Sequence, residues 1–150
     1  MTAATELEPV VKTVEVGVAP DRAFQIFTER ISEWWPKARH SIGENEVADI
    51  AVEPRIGGRI YERWHDGTEY DWGIFTAWDP PHRLAMDWRP VPTSGPTTEV
   101  DVTFSPSPAG TLVELTHRGW ERLGDSAAEA RRSYDDGWVG VLALYEASTS

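Results

Sequence analysis

"TTEVDVTFSPSPAGTLVELTHR", Thr97–Arg118, is the stretch that decides the fold. Val100, Val102 and Phe104 alternate with Asp101 and Thr103, and the pattern returns as Val113 and Leu115 against Glu114 and Thr116. Alternation places successive side chains on opposite faces of a strand, so each run is half-buried. The runs Thr97–Phe104 and Thr111–Arg118 flank the turn-forming SPSPAG, which predicts two antiparallel strands sharing one apolar face.

Downstream the period changes. Ser126-Ala-Ala-Glu129 fits a capping box, in which a Ser hydroxyl and a Glu carboxylate satisfy orphan N–H groups at a helix start. Tyr134, Trp138, Val141, Leu142 and Tyr145 then recur at spacings of four, three, one and three, the stripe of a long C-terminal helix. Gly137 and Gly140 lie inside that helix, each costing about 1 kcal/mol relative to Ala. Close backbone packing, or room for a guest beneath the helix, would offset that cost.

Upstream, residues 1–9 read as a flexible tail and residues 10–150 as a single domain. Val10–Val18 alternates with Val14, Val16 and Val18 on one face. Pro20 suits a first helical turn. Phe24, Phe27, Ile31, Trp34 and Trp35 return at helical spacing until Pro36, as one helix or two short ones broken near Thr28. Strands are expected at Glu46–Glu53, Arg59–Trp64, Asp71–Trp78 and Arg83–Trp88, with Asp66-Gly67 and "DPPH" as turns. The order is strand, short helices, six strands, long helix, an α+β arrangement of seven strands. A long amphipathic helix cannot lie flat on so twisted a sheet, so the sheet must curl around it, and its concave side can be a cavity.

The chain of 150 residues is 40% hydrophobic, enough for a core. It has no apolar run near the ~20 residues of a membrane span, and no N-terminal signal pattern, so a cytoplasmic location is expected. With no cysteine, disulfides, thiol catalysis and thiolate metal sites are excluded. The four histidines show no i, i+4 pairing, so no metal site and no cofactor are expected. A net charge of −11 argues against nucleic acid and anionic membrane as partners. Eight tryptophans are the anomaly, since tryptophan recurs at binding surfaces.

Four segments resemble a known family: "VAPDRAFQIFTERISEWWP", "EPRIGGRIYERWHDGTEYDWGIFTAWDPPHRL", "VELTHRGWERLG" and "YDDGWVGVLALYE". Together they are similar to the branch of the START-related SRPBCC superfamily that is like the activator of heat-shock-protein-90 ATPase. The resemblance implies a helix-grip fold, a curved antiparallel sheet wrapped around the C-terminal helix with a ligand-sized cavity between. The superfamily includes lipid and hormone binders and polyketide cyclases, with no shared catalytic residues. In the eukaryotic activator a separate N-terminal domain engages the chaperone strongly, and no such domain is expected within these 150 residues.

Candidate site residues follow from the strand faces. In Glu53–Gly73, Gly57-Gly58 reads as a tight turn before a strand. Ile60, Glu62 and Trp64 are expected inward, with Arg59, Tyr61 and Arg63 outward. A buried Glu62 needs a partner, either a structural ion pair or a role as the polar group of a cavity. His117 continues the inward register of Val113 and Leu115, as a satisfied core residue or as a donor or general base facing the cavity. His65 and His82 sit at turns, and His40 is uninformative. Trp72 and Trp78 are expected on one face with Ile74 and Thr76 between them, while Trp88 ends the face of Leu84 and Met86. Trp120 follows a strand end. Tyr134 and Trp138 lie on the helix half that bounds the cavity in the family fold, and Trp34-Trp35 is expected to cap the opposite opening.

The leading expectation is a protein that binds a small apolar or aromatic ligand, stacked by Trp64, Trp72, Trp88, Tyr134 and Trp138 beside Ile60 and oriented by Glu62 and His117. A second is a metal-independent enzyme of cyclase or hydrolase type with Glu62 or His117 as the acid–base group, which requires the two to converge. A third is a chaperone-interacting module, which requires an exposed apolar patch. The oligomeric state is left open, a homodimer being one option.

Overall fold

The computed structural model describes residues 7–37, 43–89 and 96–149. Seven strands, β1 (Val10–Val16), β2 (Val47–Val52), β3 (Arg59–Trp64), β4 (Glu69–Asp79), β5 (Arg83–Trp88), β6 (Thr98–Ser107) and β7 (Gly110–Arg118), form one sheet. Its order is β1-β7-β6-β5-β4-β3-β2, with antiparallel pairing throughout. From β2 onward each strand pairs with its sequence neighbour, and β1 closes beside β7. The curled sheet grips helix α3 (Ala127–Ser148), the α+β helix-grip fold expected. Helices α1 (Pro20–Thr28) and α2 (Ile31–Trp34) follow β1.

The break between α1 and α2 falls at Thr28, whose hydroxyl donates to the Phe24 carbonyl at 2.8 Å, a back-bond that competes with helix continuation. Pro20 occupies the first turn of α1. Val100, Val102, Phe104, Val113 and Leu115 are all buried on the sheet's inner face with Trp138, Val141, Leu142 and Tyr145 of α3.

Several local expectations are corrected. Ser126 makes no capping bond to α3; its hydroxyl donates to the Leu123 carbonyl, because Ser126 itself has helical backbone angles, just after a kink at Gly124 in the turn Trp120–Ser126. Glu46 belongs to a short 3-10 turn ahead of β2. Strand β6 continues through Ser107, so only Pro108 and Ala109 of SPSPAG form the turn.

Register shifts between β3 and β4 and between β4 and β5 break the alternation of β4. As a result Phe75 is buried between Trp72 and Trp78, while Thr76 is exposed and Ile74 half-buried. Residues 7–9 were expected in a flexible tail, but Arg131 of α3 donates to the Glu8 and Pro9 carbonyls and Leu7 packs on the core. Residues 1–6 and His40 lie outside the described residues.

Candidate functional site

Glu62 and His117, fully buried polar side chains on the inner face of the sheet, organise the aromatic residues around them. The first is Glu62 of β3, which is 0% exposed. Strand alternation turns Ile60, Glu62 and Trp64 inward together. Trp64, two residues on, therefore reaches back to donate its indole N–H to Glu62 Oε2 at 2.7 Å. The Gly43 N–H donates to the same oxygen at 2.7 Å, and Trp72 of β4 donates its indole N–H to Oε1 at 2.7 Å. Hydrogen bonds to an ionised acceptor are short and strong, so one carboxylate fixes the planes of two indoles. The sequence reading missed this arrangement, although its signal was present: an aromatic N–H two residues along the same face and another on the neighbouring strand.

On the outer face of this hairpin Arg59 and Arg63 form ion pairs. Arg59 reaches Glu53, Glu69 and Asp71, and its guanidinium stands 3.9 Å over the Tyr61 ring. Tyr61 is thus buried even though its side chain points outward.

The second anchor is His117 of β7, also 0% exposed. Trp138 donates its indole N–H to His117 Nδ1 at 3.0 Å. Nδ1 must therefore carry the lone pair, which leaves the proton on Nε2, 2.7 Å from the Thr98 hydroxyl. Burial depresses the imidazole pKa from 6.5 to about 3, so the ring is neutral. The His117 carbonyl accepts the Trp120 indole N–H at 3.0 Å. Both ring nitrogens are engaged, the arrangement of a satisfied core histidine, and a lone pair for base catalysis is not available while Trp138 holds it.

The rings between the two anchors are continuous. Trp72 packs on Trp88 at 5.8 Å, and Trp88 on Trp138 at 5.8 Å. Tyr134 accepts the Trp88 indole N–H at 3.0 Å and packs against His117 at 4.8 Å. Glu62 and His117 do not hydrogen-bond to each other; Trp72 and Trp88 link them.

Trp35 joins this wall, 4.8 Å from Trp72 and 6.0 Å from Trp138. Trp34 packs on Phe27 and Tyr145 and donates to the Ile26 carbonyl. The pair is therefore core and wall instead of the cap expected for an opposite opening. Trp64 is half-buried, with Tyr70 against it at 5.0 Å. His65 and His82 are exposed. A separate open cleft of about 340 Å³, unforeseen in the sequence, lies between α1 and Pro54, Trp78 and Pro80.

Among the described residues no group of three His, Asp or Glu side chains is placed to hold a metal ion, and no helix is long and apolar enough to cross a membrane.

The family model described as "Activator of Hsp90 ATPase homolog 1-like protein" matches residues 18–143. No curated protein matches the chain. Among solved structures, the anthrahydroquino-gamma-pyrone synthase Txn09 is 40% identical, with 95% of this chain and 97% of that one covered and a TM-score of 0.66. Protein MLL2253 from Mesorhizobium loti is 17% identical, covering 93% and 94%, with a TM-score of 0.67. Protein CV1439 from Chromobacterium violaceum is 15% identical, covering 95% and 98%, with a TM-score of 0.68. The last two show the fold alone.

Proposed function

The chain belongs to the activator of Hsp90 ATPase homolog 1-like family, and from that premise we propose that it binds a small, flat, mainly aromatic molecule between the inner face of the sheet and the N-terminal half of α3. The observation that carries this reading is the tethering of the indoles. Trp64 and Trp72 are tied to Glu62, and Trp138 to His117. Ring planes held in advance lose little freedom when a flat guest stacks on them, which is the condition for useful affinity from a small contact area. Tyr134 and Trp88 extend the same surface, and Ile60 supplies its aliphatic edge.

Titration with fluorene, an uncharged tricyclic arene, tests the reading. Binding is expected to quench tryptophan emission in the native protein, to weaken in Trp138→Leu, and to vanish in urea. Absence of quenching up to the solubility limit of the probe overturns it.

A second reading is favoured by the 40% identity to an anthrahydroquino-gamma-pyrone synthase across nearly the whole of both chains. In this reading the bound molecule is an aromatic precursor with an unclosed side chain, and the protein promotes ring closure. Because both nitrogens of His117 are engaged, the chain's contribution is restraint of the open chain against the aromatic wall, an effect able to supply several kcal/mol. Incubating an open-chain anthrahydroquinone with the protein and separating the products by chromatography tests this. Formation of the closed ring at the spontaneous rate overturns it.

A further inference from the structure

Stacking alone does not distinguish one flat molecule from another, and Tyr134 offers the polar discrimination. Its hydroxyl oxygen accepts the Trp88 indole N–H at 3.0 Å. Its own proton has no acceptor among the described residues. The neighbouring polar hydrogens are all engaged: Trp138 N–H on His117 Nδ1, His117 Nε2–H on Thr98, and Trp120 N–H on the His117 carbonyl. The Tyr134 proton is therefore the one these rings leave over.

The geometry points to a role: we propose that the Tyr134 hydroxyl donates a hydrogen bond to a carbonyl oxygen of a neutral aromatic ligand, an aryl ketone or a quinone, and so selects carbonyl-bearing rings over bare arenes. The inference rests on the binding reading above and adds the chemical class of the ligand.

Three further observations support it. A hydroxyl that accepts a hydrogen bond is polarised into a better donor, and Trp88 supplies that bond in a fixed direction because its own ring is packed by Trp72 and Trp138. Burial raises the phenol pKa, so the proton stays in place across the working pH range. Finally, the rings in contact with Tyr134 carry no formal charge, His117 being neutral, and the chain as a whole is at −11. A carboxylate or phosphate would meet no counter-charge from these rings, whereas a carbonyl needs only the donor.

The test compares 9-fluorenone with fluorene, two tricyclic frames that differ by the carbonyl, by tryptophan quenching of the full chain. The absence of cysteine removes thiol addition as a side reaction. The readout is the ratio of the two affinities, which does not change if a variant merely lowers the fraction of folded protein.

In the parent the ratio should favour fluorenone, and Tyr134→Phe should reduce it by about five- to tenfold, the worth of one neutral hydrogen bond. Trp88→Phe, which keeps the hydroxyl but removes its orienting donor, should reduce the ratio by less. An unchanged ratio in Tyr134→Phe, or a parent that prefers fluorene, overturns the inference while leaving the binding reading intact. If Tyr134→Phe does not fold, an unchanged ratio in Trp88→Phe overturns it in the same way. A parent that binds neither probe overturns the binding reading and this inference with it.

Discussion

Trp138 of α3 and His117 of β7 share a hydrogen bond, indole N–H to Nδ1 at 3.0 Å, with both side chains buried. The bond ties the C-terminal helix to the sheet, fixes the imidazole tautomer, and sets the plane of one indole of the aromatic wall. A proton on Nδ1 would replace an acceptor with a donor facing a donor, so the charge state of one histidine bears on how the helix is held.

The pH dependence follows from that charge state. The His117 pKa is about 3 in the folded chain against 6.5 for the free group. Between these values the unfolded chain binds the proton and the folded chain does not. This stability is therefore fully present above pH 6.5 and is lost as pH falls from there toward 3. The loss between pH 7 and pH 5 is expected to be about 2 kcal/mol. His117→Gln removes the titration, and urea melts at the two pH values should show a flatter dependence. Equal slopes for parent and variant would contradict the assignment.

Glu62 should matter more than the carboxylates of the outer face. Glu62→Gln keeps the shape but sets an amide NH₂ against an indole N–H, which is expected to destabilise the fold by about 1–3 kcal/mol. It should also shift the emission of Trp64 and Trp72. Glu69→Gln, on the exposed face beside Arg59 and Arg63, should cost less than about 1 kcal/mol. Similar losses for the two variants would mean that the carboxylate is not what fixes the indoles.

Where one physical signal dominated, the sequence was readable. Period-two runs such as Val100–Phe104 and the stripe from Trp138 to Tyr145 decided the strands, the helix and their inner faces. Glu62 and His117 were legible as inward polar groups because each shares its strand's apolar parity. Their partners were not legible, since a hydrogen bond from Trp72 to Glu62 or from Trp138 to His117 depends on which strands neighbour each other and where a ring swings. The face of β4 was misread because bulges beside Ile60 and Phe75 shift the parity, and nothing local in the sequence announces them. The capping box at Ser126 failed because Ser126 itself has helical backbone angles, and its hydroxyl turns back to the Leu123 carbonyl.

Gly57 and Gly58 answer different demands, and substitution should separate them. Gly57 has φ of +83°, and an added Cβ would meet nothing within 4 Å. Gly57→Ala should then cost only its left-handed backbone, roughly 1–2 kcal/mol. At Gly58 a Cβ would stand 2.3 Å from the Glu53 carbonyl oxygen. Gly58→Ala forces the turn open and pulls Glu53 from the Arg59 N–H that it accepts at 2.9 Å. Thermal melts should rank Gly58→Ala as the more damaging. The reverse order would show that the turn yields easily and that φ is the real constraint.

The two sides of α3 should respond with opposite signs. Leu142 is 2% exposed, among the core residues of the inner face. Leu142→Ala removes buried methyl groups and leaves a cavity, an expected loss of about 2–5 kcal/mol. Gly140, two residues earlier, is exposed, and an added Cβ would meet nothing within 4 Å. The cost of this glycine is therefore not offset by close packing or by a guest beneath the helix, contrary to the expectation from sequence. Gly140→Ala should instead stabilise the helix by about 1 kcal/mol and leave fluorene affinity unchanged, because the residue faces away from the aromatic wall. Denaturant midpoints together with the fluorene titration test both halves. If Gly140→Ala destabilises the protein or weakens the probe, then the outer side of α3 takes part in packing or binding. The wall formed by Trp138, Trp88 and Trp72 would then be only part of the surface that meets the ligand.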